Sequence, residues 1–130
     1  MYEIQKLFYL CLTNDTEMKR EIKFRALYDG IWYYQTLDKM LMTTLAAFRL
    51  GKHKTQFTGL KDKNGKDIYE GDVINPVVMN GTITRGVVDF NYGSFMVKQI
   101  GAEGLIDDLY RYDNCEVIGN IYENPELIKA

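Results

Sequence analysis

The stretch from Gln56 to Ile74, QFTGLKDKNGKDIYEGDVI, constrains this chain more tightly than any other. It predicts a β-hairpin followed by a second tight turn that feeds a new strand. Asp62 can accept the first hydrogen bond of a type I turn, Lys63 and Asn64 fill its corners, and Gly65 supplies the left-handed residue of a G1 bulge. A two-residue type I′ turn at Asn64-Gly65 is the competing register, and both give the same hairpin. Backbone geometry alone accounts for Asn64, Gly65 and Gly71, so the stretch specifies architecture and not chemistry.

The rest of the chain arranges itself around that hairpin. Met1, Ile4, Leu7, Phe8 and Cys11 recur at helical spacing, which predicts a short helix over about 1–12, broken by Asn14-Asp15-Thr16. A helix of that length needs a surface to bury its stripe. Glu21–Leu27 alternates polar and apolar residues as a half-buried strand does. Asp29-Gly30 marks a turn, and Ile31-Trp32-Tyr33-Tyr34 completes an N-terminal hairpin. The period then changes: Met40, Leu41, Leu45 and Phe48 predict a second helix over about 38–50. Asp38 is its N-cap, Leu37 and Met42 form a staple, and Gly51 is the C′ stop. Lys52-His53-Lys54-Thr55 reads as a basic connector into the central hairpin.

Beyond it, Asp72-Val73-Ile74 starts a strand that Asn75-Pro76 interrupts, so that edge should be free or bulged. Asn80-Gly81 and Tyr92-Gly93 mark hairpin turns around a strand centred on Gly86–Phe90 and another over Ser94–Lys98. Gly101–Gly104 reads as a loop. Leu105–Tyr110 fits either a helical turn or a strand, and Glu116–Tyr122 is a strand. Asn124-Pro125-Glu126 has the signature of a helix start. Closely spaced short strands with Gly-marked corners predict a mainly β fold, a small barrel or curled sheet.

At 130 residues the chain is long enough for one core without staples, and an apolar share of 46% argues against intrinsic disorder. Its formal net charge of -2 gives the whole molecule no electrostatic affinity for nucleic acid or anionic lipid. The charge is polarised, however. Arg49–Lys66 holds six basic residues (Arg49, Lys52, Lys54, Lys61, Lys63, Lys66) against Asp62, a net of about +5, and Glu103–Glu126 holds seven acids against Arg111, about -6. Two solvated faces are the plain explanation. Head-to-tail contact between copies, or a basic patch for a polyanion, is the sharper one. Cys11 and Cys115 lie far apart without CxxC spacing, which suits buried thiols in a reducing compartment. Met1-Tyr2-Glu3 is no basic leader, and Leu7–Leu12 is too short an apolar run to span a bilayer, so the expectation is cytoplasmic with no membrane partner.

Three blocks carry a resemblance. Glu21-Ile22-Lys23-Phe24-Arg25-Ala26 opens it. Phe57–Asp62 through Tyr69–Ile74 forms its centre, and Glu116–Leu127 closes it. In that order they resemble the YopX family, small proteins of bacteriophages and prophages, over about residues 18–128. The resemblance implies a mostly β fold with an SH3-like barrel, a phage or prophage origin and a bacterial cytoplasm. It carries no activity and no catalytic residues to transfer. The domain organisation it suggests is an N-terminal helical extension over 1–17 and a single β domain over 18–130. The extension precedes the family's usual start, and Gln35–Lys54 is more helical than the family implies.

No residue set reads as a catalytic or metal centre, and no cofactor is expected. His53 is the only histidine, flanked by Lys52 and Lys54, and reads as a solvated loop residue. Ser94 and the cysteines lack a nucleophile context. Asp107, Asp108, Asp113 and Glu116 lack EF-hand spacing and read as a solvated acidic face. Gly59–Lys66 lacks the Gly-Lys-Ser/Thr ending of a phosphate loop. Two surfaces remain. Ile4, Leu7, Phe8 and Cys11 form a candidate self-association stripe, which favours a homo-oligomer or contact with a host or phage protein. Arg49, Lys52, Lys54, Lys61, Lys63 and Lys66, near Phe57 and Tyr69, form a candidate interaction surface that a single-stranded nucleic acid would fit, although Phe57 and Tyr69 are better explained as core.

Overall fold

A computed structural model describes residues 21–36, 42–101 and 104–129. The expected helix over 1–12 and the candidate stripe Ile4, Leu7, Phe8 and Cys11 lie outside the described residues. So do Leu37, Asp38, Met40 and Leu41, with the proposed cap and staple of the second helix.

The strands are β1 (Lys23–Tyr28), β2 (Ile31–Thr36), β3 (His53–Lys61), β4 (Asp67–Tyr69), β5 (Asp72–Met79), β6 (Thr82–Asn91), β7 (Ser94–Gln99), β8 (Ile106–Asp108) and β9 (Glu116–Asn120). Among the described residues one helix, α1 (Met42–Leu50), lies between β2 and β3. Short 3₁₀ turns follow β8 (Leu109–Arg111) and close the chain (Pro125–Ile128). The strands form two antiparallel sheets, β2-β1-β3-β4 and β8-β7-β6-β5-β9. Among the described residues no ladder joins them into a closed barrel, so what stands is a mainly β fold of two sheets with one short helix.

The turn chemistry explains the hairpins. Asp29-Gly30, Asn80-Gly81 and Tyr92-Gly93 each have both residues at positive φ, the I′ geometry that matches strand twist. The central hairpin took the other register. Gly65 N–H donates to the Asp62 carbonyl at 3.0 Å, and of the loop residues Gly65 alone has positive φ (81°), so the turn is type I with a G1 bulge. Asp62 does more than open the turn. One carboxylate oxygen accepts from the Asn64 and Lys66 N–H groups at 2.9 Å each, and the other accepts from Val117 N–H of β9 at 3.0 Å. Burial pushes this carboxyl up, but the three N–H donors and nearby Lys66 outweigh it and hold it below the usual value.

Several expectations need correction. From His53 on, the basic connector is strand: His53 of β3 pairs with Leu27 of β1, and β3 runs on to pair Lys61 with Asp67 of β4. Asn75-Pro76 does bulge β5, between Ile74 and Val77, but β5 is central and not an edge, flanked by β6 and β9. The bulge moves the proline out of the ladder, so pairing resumes at Val77. Gly51 ends α1, yet not by a left-handed φ. A Cβ there would lie 2.4 Å from the Ala47 carbonyl and 2.9 Å from that of Leu27, so the glycine allows close approach of helix to sheet. Leu105–Tyr110 is both of the alternatives in turn, strand β8 and then a 3₁₀ turn. Asn124 precedes a 3₁₀ turn without capping it; its side-chain oxygen accepts from Asn120 N–H instead.

The main core lies on one face of the second sheet, where Ile74, Val77, Val88 and Val97 meet Ile68 of β4, Leu109 and Cys115. The first sheet is sandwiched differently. Its Ala26 face carries α1, with Thr44 bonded to Gln35. Its Arg25 face turns toward β5 and β9.

Candidate functional site

That second face collects the most concentrated chemistry in the described molecule. Alternation puts Arg25 of β1 beside Trp32 and Tyr34 of β2 and His53, Thr55 and Phe57 of β3, with Tyr69 of β4 paired to Phe57. The Arg25 guanidinium lies between two rings, 4.1 Å from the Trp32 centroid and 4.5 Å from that of Tyr69. Its Nη2 donates to Asp72 Oδ1 at 2.7 Å and its Nε to Thr55 Oγ1 at 3.1 Å. The other Asp72 oxygen accepts from Tyr69 N–H at 2.8 Å. Both members of the ion pair are buried, 7% and 2% exposed in their side chains. Burial lifts the Asp72 carboxyl against the pull of Arg25.

The site extends into β9 and the turn after it. Tyr122 stacks on His53 at 4.3 Å and meets Trp32 edge-on at 6.2 Å. Gly71, at φ 90°, leaves room for that ring, since a Cβ would stand 2.6 Å from it. The Trp32 indole N–H donates to Glu123 Oε1 at 2.5 Å. Bonds from Asn120 and from Trp32 hold the Glu123 carboxyl low. Burial raises the phenols of Tyr69 and Tyr122, so both stay protonated at neutral pH. The Tyr69 hydroxyl is buried and has no hydrogen-bond partner among the described residues. Chemically the constellation clamps the sheets: its ion pair is buried, its rings are packed, and its phenols stay protonated at neutral pH.

Surface concavities lie both beside the site, at His53, and away from it. One of 710 Å³ is an open cleft beside Tyr92, Lys98, Gln99 and Leu105. A second of 490 Å³ lies between Tyr28, Leu50, Lys52 and His53, and a third of 390 Å³ between Pro76, Asp107, Tyr112 and Cys115.

The six candidate basic residues do not form one surface. Arg49, Lys52 and Lys54 sit at the junction of α1 and β3, without an ion pair among the described residues. Lys61, Lys63 and Lys66 sit at the opposite end of β3, roughly 23 Å away at strand rise. There Lys61 binds Asp67 at 2.5 Å and Lys63 faces Glu116 at 3.6 Å. Phe57 and Tyr69 are buried, 4% and 3% exposed, and offer no stacking face. His53 is not a solvated loop residue but a half-buried strand residue under Tyr122. Cys115 is buried, and burial raises its thiol. Of the acidic residues, Asp107 and Asp108 flank Arg111, and Asp107 also accepts from the Tyr112 hydroxyl, whereas Glu116 turns to the hairpin tip. Among the described residues no group of three metal-ligating side chains converges, and no helix is long and apolar enough to cross a membrane.

Arg25, Trp32, Asp72, Tyr122 and Glu123 were missed as a group. The alternation that marks β1 as a strand assigns Arg25 to the solvent side; that side is the junction with the other sheet.

The model of a protein family described as YopX protein matches residues 3–129, beginning inside the segment expected to precede the family's usual start. No curated protein matches the chain. Among solved structures, the crystal structure of protein EF1440 from Enterococcus faecalis is 24% identical, with 83% of this chain and 98% of that one covered and a TM-score of 0.49.

Proposed function

This chain belongs to the YopX family, and from that premise we propose that it is a non-enzymatic phage or prophage accessory protein that works by protein contact and self-associates. In this proposal the curled five-stranded sheet is the SH3-like element of the module, and the setting is the host cytoplasm. The observation that carries it is where the described chain spends its polar and apolar groups. The buried charged residues Arg25, Asp62 and Asp72 are engaged by the scaffold. Meanwhile Val78 and Ile83, directly opposite each other across β5 and β6, stand 50% and 70% exposed, an apolar cross-strand pair facing outward at a hairpin tip. The apolar stripe Ile4, Leu7, Phe8 and Cys11 adds a second contact element.

Light scattering tests it. The wild-type mass should exceed that of one chain, and Leu7→Asp with Phe8→Asp should lower it. A wild type at monomer mass throughout its concentration range removes self-association.

Binding of single-stranded nucleic acid is the second reading, now favoured by Arg49, Lys52 and Lys54, which make no ion pair among the described residues, with Lys52 lining a cleft beside the exposed Tyr28. It requires salt-sensitive retention of an oligonucleotide, and no binding at low salt ends it.

A further inference from the structure

Each sheet has two margins, and three of the four carry devices that discourage further pairing. β4 is three residues long and bears Asp67, tied to Lys23 and Lys61. β8 is equally short and is two-thirds aspartate, Asp107 and Asp108. β9 bears Glu116, and its Val117 N–H is already taken by Asp62. Charge, brevity and covering are the usual ways in which an edge is kept from recruiting another strand.

β2 has none of them. It is six residues long, IWYYQT, with no charge and no proline, and β1 is its one strand partner among the described residues. The two-residue turn Asp29-Gly30 fixes which backbone groups face outward. Tyr28 and Ile31 close the hairpin as a mutually bonded pair, so Ile31, Tyr33 and Gln35 direct their N–H and C=O to β1. Those of Trp32, Tyr34 and Thr36 point away from the sheet. The Thr36 carbonyl accepts from the Gln35 side chain at 2.8 Å, as an outward carbonyl can. The remaining outward groups, on Trp32, Tyr34 and Thr36, have no protein partner among the described residues.

We propose that β2 is a homotypic interface, at which the β2 strands of two copies pair antiparallel about a two-fold axis and join two four-stranded sheets into one of eight strands. This rests on the self-association put forward above and names a surface for it. A second copy is the occupant because the strand complements itself. The two-fold axis normal to the sheet keeps each face on its own side and opposes odd residues to odd and even to even. That centres the ladder on Tyr33, which pairs the outward groups of Trp32 with those of Tyr34, or on Tyr34, which pairs Tyr34 with itself and Trp32 with Thr36. With no charge on β2, two copies meet without repulsion. Tyr34, 53% exposed and already edge-on to Tyr69 at 5.8 Å, would gain cover from the partner's Tyr34 or Trp32. A six-residue edge gives a small interface, so the dimer is concentration-dependent.

Hydrogen exchange of the wild-type protein, read at single amides alongside its mass at each concentration, is the first arm. The amides of Trp32 and Tyr34, joined by that of Thr36 in the Tyr34-centred register, should exchange at least about tenfold more slowly in the associated protein than at high dilution. The second arm is Tyr34→Pro, which removes an outward N–H that β1 does not use. It should leave the far-ultraviolet circular dichroism unchanged and yield a monomer. Fast exchange of the three amides in an associated wild type overturns the β2 interface but leaves self-association standing. So does a folded Tyr34→Pro variant that still dimerises. Slow exchange at every dilution shows that the chain covers its own edge, which also overturns it. A wild type that is monomeric throughout removes both proposals. If Tyr34→Pro fails to fold, the wild-type exchange decides alone.

Discussion

Arg25 is the residue whose removal the fold should feel most. It is held by Asp72, by Thr55 and by the faces of Trp32 and Tyr69, and the carboxylate it neutralises is itself shut away from water. Arg25→Ala would leave Asp72 with the Tyr69 N–H and no counter-charge, a loss of about 3–5 kcal/mol for a buried pair broken on one side. Replacing both partners with apolar residues of similar size, Arg25→Met with Asp72→Leu, removes the orphaned charge together with its cause. The double variant should therefore be less destabilised than the two single losses predict, with a coupling of about 1–3 kcal/mol in urea unfolding. Strict additivity would mean that the pair is not coupled. The contact could not be read from sequence, because its partners are separated by 47 residues and neither lies in a motif that names the other.

Between elements, the tie that matters is the one Asp62 makes from the central hairpin to β9. Half of its role was legible: an Asp at the start of a type I turn is expected to accept from the N–H groups that follow. The other half, its bond to Val117, depends on β9 arriving beside the turn, and local chemistry does not state that. Asp62→Ala should cost about 2–4 kcal/mol, since it leaves three N–H groups without their charged acceptor. The effect should depend on pH in a defined direction. With its folded pKa below the unfolded one, Asp62 stabilises fully above the ordinary carboxylate value of about 4, and the contribution drains away as pH falls through the depressed folded value. Urea stabilities of wild type and Asp62→Ala should differ most near neutrality and converge as pH falls below the depressed folded value. Asp67, held low by Lys23 and Lys61 against its burial, titrates in the same sense in both proteins and leaves the comparison intact. Parallel curves down to acid would show that the carboxylate's charge is not what binds the turn.

At the scale of the whole molecule, the question is whether two sheets without a closing ladder behave as one cooperative body. The turns that shape each sheet were readable because a single Gly or Asn-Gly decides each one. How the sheets meet was not, because the junction is built from side chains on strands distant in sequence. His53 meets Tyr122, and Trp32 meets Glu123 from 91 residues away. Within the first sheet β3 pairs with β1 at its start and β4 at its end, and β4 contributes Ile68 to the core of the second sheet. That contribution couples the two halves, since the first sheet cannot open at β4 without uncovering the core beneath Ile68. Trp32, the single tryptophan, reports the junction, whereas far-ultraviolet circular dichroism reports strands throughout. The two probes should give coincident urea transitions with one midpoint and one slope. In Glu123→Ala the native emission of Trp32 should shift to the red as its indole loses that partner, while the two transitions move together to lower urea. Separate midpoints, with the tryptophan signal lost first, would show instead that the β2-β1-β3-β4 sheet unfolds on its own and that the Arg25 junction is a contact between independent units.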